Sequence, residues 1–462
     1  MVHMKKIVFL SALALATFVA GAQDFPGFRV GNYTGVNGVF FNPANIADSR
    51  YRFDINLFSV STMVGQNQAA FKLSDINTFD SDKLSDNLFS GGEGNVNALV
   101  SANVQGPSFM FNLNKKSTIA VTTRARAMVN VVDINGKLLQ NIMNDLNANA
   151  TLPYSINSND NMRVALNGWS EIGASYARVI SEKGPHFLKG GVTLKYLGGA
   201  GNGFINVANL KSTINQDALG DVYLNNTTGQ IAVGFGGKNL SGLEASNLLA
   251  MESSGFGADL GFVYEYRPAS AGNDANKYKF KVGVALMDLG SVRYKKDMDR
   301  SGAYNLDITG SERFYLREIE NEDLENYNRF FRSRPQFFTP SASNSETSYS
   351  VSLPSTLNVD VDYHINKGFY VSASGLISLM NKSKVENPMY YSSFAVTPRV
   401  EGRIFGVYLP ISYNQLTNLN AGLSLRMGPV FIGSGSIVSL LVGESKQADV
   451  HIGVRFGGLV KK

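Results

Sequence analysis

The sequence predicts an all-β protein, a transmembrane antiparallel β-barrel of about 14 strands with an N-terminal hatch in its lumen. Three observations carry this expectation. Runs of about 10–14 residues alternate apolar and polar side chains. Long and short connections alternate between those runs. An apolar, glycine-rich segment lies directly before the first of them.

The first residues set the compartment. Met4-Lys5-Lys6 is a short basic start, 7–19 is an apolar run, and Ala20-Gly21-Ala22 is a small-residue cleavage site. Residues 1–22 therefore read as a secretory signal peptide, leaving Gln23 as the new N-terminus. The run is short of the ~20 residues a membrane anchor needs. The chain has no cysteine, which excludes lipid attachment at the cleavage site, disulfides and thiolate metal sites. Loss of Lys5 and Lys6 leaves 40 basic against 37 acidic residues, a net charge of +3, which argues against nucleic acid as partner. No later stretch reaches the length of a membrane helix. A large soluble β protein or a membrane β-barrel remains.

Strand length and periodicity separate the two. Leu357, Val359, Val361, Tyr363 and Ile365 fall on one face, and Asn358, Asp360, Asp362 and His364 on the other. Tyr278, Phe280, Val282, Val284 and Leu286 alternate in the same way with Lys279, Lys281, Gly283 and Ala285. Val450, Ile452, Val454 and Phe456 alternate with His451, Gly453 and Arg455 near the end of the chain. Soluble sandwich strands usually span about 5–6 residues. Runs of about 10–14 suit a tilted membrane crossing, and aromatics at their ends suit interfacial girdles.

Strands are expected near 52–63, 97–113, 117–129, 167–180, 187–199, 255–267, 278–291, 354–365, 368–380, 393–404, 407–415, 419–427, 430–441 and 448–457. The connections 64–96, 130–166, 200–254 and 292–353 are long, and those between them are tight, such as Asn366-Lys367 and Gly428-Pro429. Long loops on one side and short turns on the other mark an outer-membrane barrel with its long side outward. The barrel unit is then 51–462. Within the outer loops, Leu138, Ile142 and Leu146 have helical spacing, 204–235 extends two strands above the membrane, and Asp323 opens a short helix that reaches Phe331.

Residues 23–50 precede the first strand and are assigned to the hatch. Gly31, Gly35 and Gly38 permit tight turns, and Phe40 and Phe41 supply buried bulk. Asn42-Pro43 forbids a continuous helix. The phrase "GVFFNPANIADSRY" resembles the "FxNPAG" hatch signature of the FadL-like barrels, the long-chain fatty-acid and hydrocarbon transporters. Asn42, Pro43 and Ala44 match it, while Asn45 replaces the usual glycine. The full chain also resembles an uncharacterised outer-membrane family common in Bacteroidota, through "GNYTGVNGVFFNPANIADSRY", "FLKGGVTLKYLGGAGN", "GADLGFVYEYRP", "LNVDVDY" and "TPRVEGRIFGVYLPISYN". The first resemblance implies a 14-stranded barrel with an internal hatch and transport of a hydrophobic molecule. The second implies no biochemistry.

No enzymatic constellation emerges. Asp360, Asp362 and His364 share a face, which a metal or an acid–base pair would use, but polar lumen lining explains them equally. No metal, cofactor or nucleophile elbow is expected. With apolar faces toward lipid, Arg124, Arg126, Glu171, Asp259, Glu265, Asp360, Asp362, Arg399, Glu401, Arg403, Arg426 and Arg455 point inward. Mixed signs predict a lumen filled by ion pairs rather than an ion-selective pore. Phe330, Phe331, Arg334, Phe337 and Phe338, in the longest outer loop, form the candidate surface for an amphiphile or a protein partner. The alternative is that these aromatics build the loop's own core. Two functions follow: passive FadL-like uptake of a small hydrophobic or amphiphilic molecule, or a plugged scaffold barrel in an outer-membrane secretion or envelope complex. The expected surroundings are outer-membrane lipids.

Overall fold

The computed structural model describes residues 24–73, 94–143, 152–238, 253–268, 277–320, 322–341 and 346–460. The signal-peptide reading and Leu146 fall outside these residues. Fourteen wall strands form a closed antiparallel barrel. They are β1 (Tyr51–Gln66), β2 (Asn95–Gln105 continued by Ser108–Asn112), β3 (Ser117–Asn135), β4 (Asn161–Lys183) and β5 (His186–Gln216). Next come β6 (Ser253–Tyr266), β7 (Phe280–Lys295), β8 (Thr356–Asn366), β9 (Phe369–Ser378) and β10 (Ser393–Glu401). The last are β11 (Phe405–Tyr408 and Ile411–Asn414), β12 (Asn418–Ala421 and Leu423–Met427), β13 (Val430–Ser434) and β14 (Gln447–Leu459). Each pairs with its neighbours in sequence. β1 closes on β14 from Tyr51↔Leu459 to Gly65↔Gln447. Closure leaves no free edge, the condition for a sheet in a bilayer.

The alternation has the expected sense. Ile55, Ile172, Leu194, Phe262, Val284, Tyr363, Phe394, Ile411 and Ile432 are exposed on the outer wall, whereas Asp54, Glu171, Lys195, Asp362, Arg399 and Arg455 are buried within. An apolar exterior around a charged interior inverts a soluble protein and fits a lipid-embedded wall. Proline and glycine interrupt the ladder at Gly106-Pro107, Pro410 and Gly422. Proline has no N–H to give, and Gly422 N–H instead reaches Pro410 O at 2.8 Å.

One predicted strand is too long. The run 430–441 ends at Ser434 and a helix covers Ile437–Val442. The Asp449 carboxylate draws the chain in at this point, accepting from Gly435 N–H, Ser436 Oγ (2.5 Å) and Ser434 Oγ (3.3 Å). That local bonding outcompetes the ladder.

β5 runs on for 31 residues and returns as Val222–Gly237, so this hairpin stands well above the ~9–11 residues needed to cross. The segments Gly302–Ile308 and Phe314–Tyr315 pair with its outer strand, and a helix at Tyr327–Arg332 covers it. Phe330, Phe331 and Phe338 are buried here with Ile214, Val233, Tyr304, Ile308 and Phe314, Phe337 packs against them, and Arg334 stacks over Phe330 at 3.7 Å. Of the two readings the sequence left open for these five residues, this packing is that of the loop's own core, with Phe337 and Arg334 only partly buried. Their apolar area is consumed by the cap's own core, because a two-stranded hairpin has nothing else to bury against. Burial pushes the Tyr327 phenol up to about 12, so it stays neutral near pH 7. Phe331→Ala is expected to cost the cap about 3–5 kcal/mol. It should accelerate proteolysis between 296 and 353 and leave the heat-resistant gel mobility of the folded barrel unchanged.

Candidate functional site

The N-terminal segment lies inside the barrel as three short 3₁₀ turns, Phe28–Val30, Gly35–Phe40 and Pro43–Ile46. Local chemistry shapes the last turn. Asn42 is extended (φ −163°, ψ 117°), as a residue before proline must be. Its Oδ1 accepts from Ala44 N–H at 2.9 Å, and Pro43 occupies the first helical position. Its Nδ2 reaches the wall, donating to Phe262 O (3.2 Å) and Val284 O (3.3 Å).

The wall is shaped to receive this turn. Gly191 on β5 and Gly261 on β6 are register partners. A Cβ on Gly261 would stand 2.1 Å from Asn42 Oδ1, and one on Gly191 would stand 2.5 Å from the Pro43 carbonyl carbon. Two glycines thus open a slot that only Asn42-Pro43-Ala44 fills. Around the rest of the circumference, Phe25, Phe28 and Phe41 pack with Phe431, Phe28 stacking on it at 3.8 Å. Asn37 donates to Gln105 Oε1 at 2.7 Å and Ser59 Oγ at 3.1 Å. Gly35 sits at φ +56° where a Cβ would strike Asp54 at 2.0 Å, and this approach lets Val36 N–H donate to Asp54 Oδ2 at 2.8 Å.

Four ionic groups surround the segment. The first contains Arg124, Arg126 and Lys195 against Glu171, Asp259 and Asp288. Asp288 binds Arg124 at 3.0 Å, Arg126 at 2.8 Å and Lys195 at 2.6 Å, Glu171 binds Arg124 at 2.7 Å and Arg126 at 3.0 Å, and Lys195 meets Asp259 at 2.7 Å. Trp169 Nε1 donates to Glu171 at 2.8 Å. In the second, Arg399 grips Asp362 with two bonds of 2.7 and 2.8 Å and Glu401 with one of 2.9 Å, and Glu401 accepts Asn32 N–H at 3.0 Å. In the third, Arg455 pairs with Asp54 at 2.7 Å and donates to Tyr33 O. In the fourth, Glu265 binds Lys189 at 3.1 Å and Arg267 Nε at 2.8 Å, while Asp48 binds Arg267 at 2.7 Å and Lys277 at 2.8 Å.

The predicted ionic residues thus separate into these groups, with three exceptions. Arg403 is exposed, because β10 ends at Glu401 and residue 403 lies in the turn to β11. Arg426 is buried but meets no carboxylate among the described residues. It donates to the carbonyls of Gly402 (2.5 Å), Arg403 (3.1 Å) and Ile404 (3.1 Å), capping that turn. Asp360 makes no ion pair among the described residues, and its buried Oδ1 has no hydrogen-bond partner. Asp362 is taken by Arg399, and His364 Nε2 contacts Lys367 O at 2.9 Å. Asp360, Asp362 and His364 therefore do not converge on a metal. Among the described residues no three His, Asp or Glu side chains do.

Sequence reasoning missed two features. Strict alternation places Asp288 on the outer face, with Leu286. A bulge puts two β7 residues opposite Asp259, turning Asp288 (φ 58°) inward. A lone acid in "VALMDLG" was the available signal. The second feature is the connection from β9 to β10, residues 379–392, which crosses the lumen to the opposite wall. Asn130 and Met389 exchange two bonds of 2.9 and 3.1 Å, Asn202 Nδ2 donates to Glu386 O at 3.1 Å, Arg163 donates to Lys384 O, and Tyr391 OH donates to Asn97 at 3.3 Å. Met389 and Tyr391 are buried with Met63, Leu99, Met128, Trp169 and Leu197. The signal was "NPMYYS", an apolar aromatic cluster where a solvated loop would be polar.

Between this inward loop and the N-terminal segment is a chamber of about 40 Å³, room for a few waters. Phe40, Phe41, Met63, Leu99, Met287, Leu376, Tyr390 and Tyr391 line it, with Arg29, Arg124, Asp24, Asp288, Thr356, Asn358 and Asn414. Arg29 is buried, and among the described residues its Nε and Nη2 have no hydrogen-bond partner.

Together these features define the class: a closed 14-stranded outer-membrane-type barrel with a filled lumen. Residues 43–435 match the family of unknown function DUF5723, and the chain belongs to that family. No curated protein matches the sequence. Solved structures that align with it include a Pseudomonas aeruginosa FadL homologue (11% identity, 94% of this chain and 95% of that one, TM-score 0.42). The Ralstonia pickettii toluene transporter TbuX aligns at 11% identity over 97% and 98% of the two chains, TM-score 0.38. The P. putida toluene transporter TodX aligns at 8% identity over 93% and 95%, TM-score 0.39.

Proposed function

We propose that this protein is an outer-membrane barrel, delivered by a cleaved signal peptide, that passively takes up a small amphiphilic molecule bearing a carboxylate. Residues 24–50 act as its hatch, the long-loop side faces outward and the short turns face the periplasm. The chamber under Tyr390 and Tyr391 supports this reading. Its aromatic and aliphatic side chains share the lining with polar and charged groups, and it holds a guanidinium, Arg29, two of whose nitrogens have no hydrogen-bond partner among the described residues. The guanidinium lies over the Phe41 ring with Asp360 as a charge partner but no carboxylate bonded to it among the described residues, and a carboxylate on an apolar tail would satisfy the open nitrogens. The free space is too small for such a molecule at rest, so entry requires the 379–392 loop to yield.

Uptake of radiolabelled octanoate and decanoate into proteoliposomes tests the proposal. Saturable uptake is expected, falling at least tenfold in Arg29→Met. That variant keeps the side chain's bulk over Phe41 and breaks no ion pair or hydrogen bond among the described residues, so the barrel should still fold. Equal uptake by Arg29→Met would sink the carboxylate reading. The scaffold reading draws on the many bonds that hold the hatch to the wall. Absence of uptake with a stoichiometric co-purifying outer-membrane protein would favour it.

A further inference from the structure

The first and third ionic groups are balanced in charge. The end of the barrel bearing the short turns is different. A polar cavity of about 40 Å³ lies there between the N-terminal segment and strands β5–β7. Its lining carries four cations, Arg50, Lys189, Lys277 and Lys281, but only two carboxylates, Asp48 and Glu265. Both carboxylates are already shared. Asp48 serves Lys277 and Arg267, and Glu265 serves Lys189 and Arg267.

Lys281 is the least committed group, its ammonium meeting the Tyr278 ring at 5.1 Å and one long ion pair. The nearest carboxylate, Asp362, is 3.6 Å away and is held face-on by Arg399. The Lys281 side chain is only 16% exposed, and its ammonium makes no hydrogen bond among the described residues. Three N–H donors on a largely buried cation call for acceptors. Lys189 and Lys277 each use part of their donor capacity on a backbone carbonyl of the segment, Ala47 O at 3.1 Å and Asp48 O at 3.0 Å, which aims their heads into the same space.

We infer that this cavity is an oxyanion site of the phosphate class, with Lys281 as its principal donor and Lys189, Lys277 and Arg50 around it. The bound anion would bridge the N-terminal segment, through Arg50, to the wall, and so hold the segment seated. Free phosphate and the phosphate of a lipid headgroup share this chemistry.

Equilibrium dialysis of the full-length barrel in detergent against radiolabelled inorganic phosphate tests the site, with glycerol phosphate and acetate in parallel. Saturable phosphate binding is expected, weakening as salt is raised. Lys281→Met should weaken it at least tenfold, Lys281→Arg should retain it within about threefold, and Lys115→Met, in an exposed turn, should leave it unchanged. Glycerol phosphate binding as tightly as phosphate supports the site and admits a headgroup. Phosphate binding alone supports it and limits the site to the free ion. If Lys281→Met does not fold, lysine acylation of the wild-type barrel read by mass spectrometry replaces it, and phosphate must protect Lys281. Acetate binding without phosphate binding, no saturable phosphate binding at millimolar concentration, or Lys281 acylation indifferent to phosphate overturns the proposal. No uptake assay enters these readouts.

Discussion

Gly191→Val is expected to unseat the N-terminal segment while leaving the wall closed. The added side chain points into the slot that holds Pro43 and Ala44. Its Cβ alone would stand 2.5–2.6 Å from their backbone atoms. Backbone that is fixed by Asn42's bonds to Phe262 O and Val284 O has little freedom to move aside. The strand itself favours valine, since β-branched residues suit a pleated sheet, so the penalty falls on docking and not on the barrel. Overpacking of this kind costs about 1–3 kcal/mol, and 3 kcal/mol raises the undocked population roughly a hundredfold. Chymotrypsin, which cleaves after Phe28, Phe40 and Phe41, should therefore cut the folded variant far faster than wild type, and the bilayer conductance of the variant should rise. Gly283→Ala is the matched control, because its Cβ would make an ordinary 3.4 Å contact with Asn42 Nδ2. Equal cleavage of Gly191→Val and wild type, both in folded barrels, would show that the slot does not hold the segment.

Asp288→Asn is expected to destabilise the barrel by about 3–5 kcal/mol, the usual cost of leaving a buried ion pair half-made. The substitution keeps the shape and tolerates the positive φ, which Asn adopts readily. It leaves Arg124, Arg126 and Lys195 facing only Glu171 and Asp259. Adding Lys195→Met restores charge balance and should recover a substantial part of the loss, so the two changes together cost less than their sum. Urea unfolding in detergent measures this directly. Trp169 is the chain's single tryptophan, and its indole N–H bonds Glu171, so its fluorescence reports on this cluster. Additive losses in the double variant would mean that the residues act by packing rather than as one charge group.

Much of the architecture was readable before folding. Period-two alternation assigned Leu357, Val359 and Val361 to lipid and Asp362 to the lumen, because side-chain direction in a strand is a local property. Loop lengths ordered the hairpins, and Asn42-Pro43 announced a turn that could not be helix. Phe330, Phe331 and Phe338 were legible as apolar and aromatic, but not as the core of a cap, since the hairpin they cover comes from a distant part of the chain.

The sequence by itself determined a closed barrel with a greasy outside and an ionic inside. Folding in three dimensions decided which charge meets which, that a bulge turns Asp288 inward, that two glycines on neighbouring strands make one slot, and that residues 379–392 cross the lumen. The reason is distance along the chain. Alternation is fixed by adjacent residues, whereas Arg455 finds Asp54 and Asn130 finds Met389 only after the sheet has closed on itself.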